Sequence, residues 1–176
     1  MLVHAKAIAA AVLLAAAAPS FAAELLLPWK GGVTPALVLR NPAGEAVDLA
    51  QLRGKVVLVN FWATWCAPCV EEMPALARLR ARLAPRGFEV LAVNQGEMPA
   101  RVTAFAERTG LDLAILLDRE KSVAKDWKVR ALPTTFVVDG KGRIRLYAEG
   151  ELDTGPALEA AIAPLLPRER PTNASR

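Results

Sequence analysis

The chain carries only two cysteines, Cys66 and Cys69, and they stand three residues apart in Trp65-Cys66-Ala67-Pro68-Cys69. At that spacing one sulfur can close on the other, and the chemistry suggested is thiol–disulfide exchange. Cys66 follows a run of β-branched and apolar residues and opens a helical pattern. The unsatisfied N–H groups and the macrodipole at a helix start favour an anion, so the Cys66 thiol is expected to lose its proton more readily than a free thiol. Cys69, one turn further in, is expected to be the less exposed of the two. The first sulfur would attack and the second would resolve. An inert staple is the alternative for such a pair. A loop this tight gains little chain entropy from cross-linking, and a helix start offers a staple nothing.

Other chemistry is excluded by inventory. The single histidine is His4, beside the initiator Met, so neither a four-ligand Cys/His zinc site nor a Ser-His-Asp triad can be assembled in the body of the chain. Lys plus Arg number 22 and Asp plus Glu 18, a net charge of +4 spread along the sequence. That is no nucleic-acid stripe, and no nucleic-acid partner is expected. Apolar residues make up 53% of the chain, enough to bury a core.

Residues 1–22 read as a secretory signal peptide. Lys6 is followed by an uncharged apolar run from Ala7 to Ala18, and small residues at Ser20 and Ala22 allow a cut after Ala22. The run is shorter than the roughly 20 residues that span a bilayer, which disfavours a retained anchor. An extracytoplasmic, periplasm-like location is therefore expected, where disulfides persist. The membrane would be touched only through this segment if it were kept. Residues 23–32 are expected as an N-terminal segment, 33–166 as the folded domain, and 167–176 as a polar, frayed tail.

The elements that must position the dithiol follow from patterning. Val33 to Leu39 and Glu45 to Leu49 are expected as short strands around the Asn41-Pro42-Ala43-Gly44 turn. Lys55 to Phe61 has the near-continuous apolar pattern of a strand buried on both faces. A helix is predicted over Ala67 to Leu83, with Pro68 in its tolerant first turn and Pro74 expected to kink its interior. Phe88 to Asn94 is the next strand, and a helix runs from Pro99 until Gly110 closes it. Leu113 to Leu117 is a strand, after which Asp118 caps a short helix toward Trp127. Strands at Thr134–Val138 and Arg143–Tyr147 flank the Asp139-Gly140-Lys141-Gly142 turn. A last helix, capped by Asp153 or Thr154, presents Leu158, Ala161, Ile162 and Leu165 on one face. The alternation predicts one α/β domain, a mixed central sheet with helices on both faces.

The run from Lys55 through Cys69 resembles the active-site segment of thioredoxin-fold proteins, and most nearly the exported TlpA/ResA-like thiol-disulfide oxidoreductases. Glu71-Glu72-Met73-Pro74, Val93-Asn94-Gln95-Gly96-Glu97 and Leu132-Pro133-Thr134-Thr135-Phe136 extend the similarity, which covers about Val33 to Leu165. The resemblance implies a thioredoxin-like fold with an N-terminal β extension. It also implies a cis Pro133 facing the dithiol and substrate backbone pairing beside it. Substrate contact is thus assigned to Trp65, Leu132 and Pro133. Thioredoxins carry a buried Asp at the position of Asn60, which cannot titrate; the exported subfamily has a Glu matching Glu72. On a helix Cys69 and Glu72 share a face, so Glu72 is assigned a proton-transfer role. Glu71 is assigned to solvent, and Trp62 and Met73 to the core.

The resulting expectation is an exported disulfide reductase with a redox-active Cys66–Cys69 pair and no metal or organic cofactor. Its substrates would be protein disulfides, such as those of apocytochrome c or copper-site proteins, and a membrane thiol-transfer protein would supply electrons. Two other readings compete. A thiol peroxidase would require a Pro and a Thr where Val59 and Ala63 stand. A Cu(I)-binding module could use the two thiolates, but the lack of a His or Met ligand close to the pair by sequence counts against it, Met73 being assigned to the core.

Overall fold

A computed structural model describes residues 26–167; the leader segment and the last nine residues lie outside the described part. Among the described residues eight strands form one mixed sheet. β1 is Leu27–Pro28, β2 Val38–Arg40, β3 Ala46–Asp48, β4 Val56–Trp62, α1 Ala67–Leu83, β5 Phe88–Gln95 and α2 Pro99–Thr109. There follow β6 Ala114–Asp118, α3 Ser122–Asp126, β7 Thr134–Val138, β8 Ile144–Glu149 and α4 Pro156–Ile162. The spatial order is β1-β8-β7-β4-β5-β6-β2-β3.

β4 lies at the centre and every one of its residues is buried. It pairs in parallel with β5 and antiparallel with β7. Its side chains alternate between two cores, as strand geometry requires. Val56 and Leu58 pack with Leu76, Leu79 and Leu83 of α1 and with Leu158 and Ile162 of α4. Trp62 on the same face meets Met73 of α1 and Val102 and Phe105 of α2. Val57, Val59 and Phe61 face the other way, toward Val123 and Ala124 of α3, Trp127, and Leu37 and Leu49 from the N-terminal part. The expected layering of helices on both faces is realised, with α1, α2 and α4 on one side and α3 on the other. Burying a large apolar side chain contributes about 1.5–3 kcal/mol, so this two-sided strand is a main source of the fold's stability.

The long elements match expectation closely, and the short ones depart from it for local reasons. The strand expected over Val33–Leu39 shrinks to Val38–Arg40. Val33 is in solvent, and the Thr34 hydroxyl is used instead to accept the Ile144 N–H at 2.8 Å. The second N-terminal strand contracts likewise to Ala46–Asp48. This hairpin attaches beside β6 through Arg40 and Leu117. A further strand, β1, was not anticipated; its two residues pair with Tyr147 and Leu146 of β8 at the opposite edge.

The helix caps also differ. α3 begins only at Ser122, after Lys121 in a left-handed conformation, yet Asp118 still serves it from outside the cap position. Its carboxylate accepts the N–H groups of Val123 (3.3 Å) and Ala124 (2.8 Å). Neither Asp153 nor Thr154 caps α4. Gly155 holds that position, and Asp153 accepts the Gly155 N–H in a tight turn ahead of it. Pro74 sits inside α1, which continues through it to Leu83.

Candidate active site

The site forms where β4 ends. Trp62 and Ala63 close the strand, Thr64-Trp65 turn the chain, and Cys66 takes the N-cap position of α1 with extended backbone (φ −88°, ψ 99°). Pro68 falls in the first helical turn, where its missing N–H leaves no helix bond unmade. Cys66 and Cys69 are joined, with an S–S distance of 2.04 Å and Cα atoms 5.3 Å apart. Cys66 retains 6% of its surface and Cys69 none, so Cys66 is the outer sulfur. Trp65 stands beside it, 66% exposed.

The register brings a second segment to the same place. Phe61 of β4 lies opposite Thr134 of β7, so the chain just before Thr134 runs alongside the turn that leads to Cys66. That chain is Leu132-Pro133, joined by a cis peptide bond. Leu132 packs against the cluster containing Ala63, Cys66 and Cys69, and the Pro133 carbonyl accepts the Gly150 N–H at 2.8 Å. The structure therefore brings Trp65, Cys66, Cys69, Leu132 and Pro133 together.

Glu72 lies one turn beyond Cys69 on α1 and is buried, whereas Glu71 is in solvent. One Glu72 carboxylate oxygen accepts from the Asn60 amide at 2.7 Å, and the other accepts the Leu152 backbone N–H at 2.9 Å. Asn60 also donates to the Thr135 hydroxyl at 3.0 Å. Burial raises the Glu72 pKa to about 7; the Leu152 N–H and the Asn60 amide oppose the rise, and Glu151 adds to it. The carboxyl thus changes charge near neutrality, as a group that takes and returns a proton must. Trp62 and Met73 are core residues, Trp62 lying against Phe105 with ring centroids 5.3 Å apart.

One carboxylate near the site was not singled out by its type and spacing. Glu97 is 8% exposed, and its two oxygens accept from the Thr64 N–H (2.7 Å), the Thr64 hydroxyl (2.6 Å) and the Asn94 amide (2.7 Å). Arg101 lies 3.4 Å away. Burial pushes its pKa up, but these donors and Arg101 outweigh burial and hold it below the usual Glu range. Glu97 therefore fastens the turn that delivers Cys66 to the helix start. Its position just past β5, in a segment already shared with the family, was the only signal in the sequence. Glu97→Gln would set an amide N–H₂ against one of these donors, and we expect a loss of about 2 kcal/mol, roughly 4–8 °C in melting temperature, at pH 7. A carboxylate whose folded pKa is depressed contributes fully above its unfolded value and loses that contribution as pH falls through the folded one. The variant's deficit should therefore shrink on acidification below the usual Glu range. A deficit as large in strong acid as at pH 7 would contradict this account.

Comparison with known proteins places this geometry. The AhpC/TSA family pattern matches residues 16–147. The thiol-disulfide oxidoreductase ResA of Geobacillus thermodenitrificans is 41% identical over 122 residues, covering 69% of this chain and 70% of the relative. The chain belongs to the AhpC/TSA family, among its TlpA/ResA-like thiol-disulfide oxidoreductases. ResA of Bacillus subtilis (strain 168) is 36% identical over 123 residues, covering 70% of this chain and 69% of the relative. Among solved structures, one described as a thiol:disulfide interchange protein DsbE of Chlorobium tepidum superposes with a TM-score of 0.72 at 28% identity. It spans 79% of this chain and 99% of that one. The thioredoxin-like fold is thereby shown, and the Cys66–Cys69 pair belongs to a thiol-disulfide oxidoreductase.

Proposed function

We propose that the protein works outside the cytoplasm as a disulfide reductase, with Cys66 as nucleophile, Cys69 as resolving thiol and Glu72 as the proton carrier. The observation that carries this reading is the buried Glu72, chargeable near neutrality, one helical turn from the inner sulfur. In the reduced protein the Cys66 thiolate attacks a substrate disulfide; a mixed disulfide forms and one substrate sulfur leaves as a thiolate. Glu72 takes the Cys69 proton, Cys69 attacks the Cys66 sulfur, and the second substrate sulfur departs. Two electrons pass to the substrate, and the Cys66–Cys69 bond closes as drawn in the structure.

Trp65 and the Leu132-Pro133 segment line the approach to Cys66, and there we place the substrate backbone. The apolar leader supports export. A membrane thiol-transfer protein would return the dithiol to its reduced form, and the substrates would include the cysteines of apocytochrome c or of copper-site proteins. No step calls for a metal or organic cofactor. Val59 and Ala63 are buried at the positions where the peroxidase pattern needs Pro and Thr, which favours the reductase.

Stoichiometry tests the reading. Each reduced molecule should open one disulfide of a protein substrate and end with its own pair oxidised, while hydrogen peroxide is consumed no faster than by a free thiol. Rapid peroxide turnover with poor disulfide reduction would reverse the assignment.

A further inference from the structure

The end of the domain remote from the dithiol carries a feature that disulfide exchange does not use. An open cleft of about 850 Å³ lies between the N-terminal loop and the β7–β8 hairpin, and its walls carry Lys30, Arg53, Lys141, Arg143 and Arg145. Among the described residues no carboxylate lines it. The buried Asp139 fixes part of the basic array. Asp139 accepts from the guanidinium groups of Arg143 (3.2 Å) and Arg145 (3.1 Å) and from the Lys141 and Arg143 backbone N–H groups, both at 3.0 Å. These donors outweigh burial and keep its pKa below the ordinary Asp range, so it stays charged and holds both arginines in place. The Arg53 guanidinium lies directly over Gly142, where any Cβ would collide with it. Two guanidinium groups are thus held by Asp139 beside the cleft and a third lies next to them over Gly142, and guanidinium geometry suits phosphate oxygens.

At the rim the loop turns an apolar side chain outward. Val33 is 92% exposed, and the neighbouring Trp29 is only partly covered. A fixed cationic cleft beside an exposed valine and an amphipathic indole has the composition of a surface that meets lipid headgroups and the first acyl carbons. The cleft lies at the start of β4, where Gly54 bonds to Gly140 of the hairpin, whereas Cys66 follows the strand's other end. β4 alone separates the two by about 20 Å.

We propose that this cleft seats the phosphate groups of an anionic bilayer, docking the domain on the membrane by the pole opposite its dithiol. The Trp65–Cys66 face then points to the aqueous side, open to substrates, and the docked domain must lift off the bilayer to be re-reduced by a membrane donor. The inference goes beyond the reductase reading and does not need it.

Co-sedimentation of the full chain with vesicles tests it, using phosphatidylcholine alone against phosphatidylcholine with one third phosphatidylglycerol. The anionic vesicles should bind at least tenfold more tightly, with the excess lost as salt is raised from about 50 to 300 mM. Each basic residue near an anionic surface contributes about fivefold in affinity. The double variant Lys30→Gln/Lys141→Gln should therefore bind anionic vesicles roughly twenty- to thirtyfold more weakly, while Lys30→Arg/Lys141→Arg binds like the parent. The leader is common to all of these proteins, so it cancels in the comparison. Disulfide reduction in solution should be unchanged in both variants, which separates this inference from the proposed function. Equal binding to both vesicle types, or unaltered binding by the glutamine variant, would overturn it. So would displacement from vesicles by double-stranded DNA at equal phosphate concentration, which would assign the cleft to a soluble polyanion.

Discussion

Replacing Cys69 by Ser should halt the cycle halfway, with the substrate held on Cys66 as a mixed disulfide. Cys66 is the outer sulfur at the α1 N-cap and Cys69 is fully enclosed, so only Cys66 can meet an incoming disulfide. Without the second thiol the adduct has no internal route to release. Turnover should fall to that of a simple thiol while the adduct accumulates, stable until an external thiol is added. Cys66→Ser should lose turnover as fully and trap nothing. Non-reducing electrophoresis and mass spectrometry of the two variants with an oxidised protein substrate read the difference. In the native host the trapped adducts would name the physiological partners. Adducts on Cys69 in the Cys66→Ser protein, or normal turnover by Cys69→Ser, would exchange or abolish the two roles.

Glu72→Gln should slow the resolving step by about a hundredfold at pH 8, the scale of a lost general base. With its pKa raised to about 7, Glu72 is protonated below neutrality and becomes a base as pH rises through that value. The parent's rate should therefore climb through about pH 7, and the variant's should lose that inflection. The same shift has a cost in stability. Between the ordinary Glu range and about pH 7 the unfolded chain gives up this proton while the folded protein keeps it. Stability attributable to Glu72 thus falls as pH rises across that window. Thermal unfolding of the parent and variant across it should show the parent losing ground with rising pH. Superimposable pH–rate profiles would return Glu72 to a purely structural part.

The legible and illegible parts of the site divide by range. β4 and α1 could be read because their signals are local: seven consecutive residues buried on both faces, then a cysteine and a proline opening a helix with apolar residues at its period. α1 occupies the expected Ala67–Leu83. The Leu132-Pro133 cis bond was readable only through the family resemblance, since a proline before a strand is ordinarily trans. The environment of Glu72 was beyond reach. Its partners are Asn60, 12 residues back, and Leu152, 80 residues on, and no spacing rule connects them. Glu97 escaped for the same reason, its grip on Thr64 spanning 33 positions. β1 is two residues long and exists because β8 offers an edge, so nothing in Leu27-Pro28 announces a strand. The strand expected from Val33 failed because alternating apolar residues cannot show that Thr34 would be used to bind Ile144 instead.

The reduction potential of the Cys66–Cys69 pair tests the central claim, electron flow toward substrate disulfides, most directly. Strong oxidants stabilise their reduced thiolate heavily. Here Ala67 and Pro68 stand between the cysteines and bring no charge or side-chain donor. Glu97, ionised and clamping the preceding turn, places negative charge near the pair, and Glu72 on the same helix adds to it as pH rises through about 7. Both features disfavour the thiolate and make the dithiol a better electron donor. Equilibration of the purified protein with glutathione buffers should give a midpoint nearer thioredoxin's, about −270 mV, than DsbA's, about −120 mV. A midpoint at the DsbA end of that scale would show that the protein installs disulfides instead of reducing them.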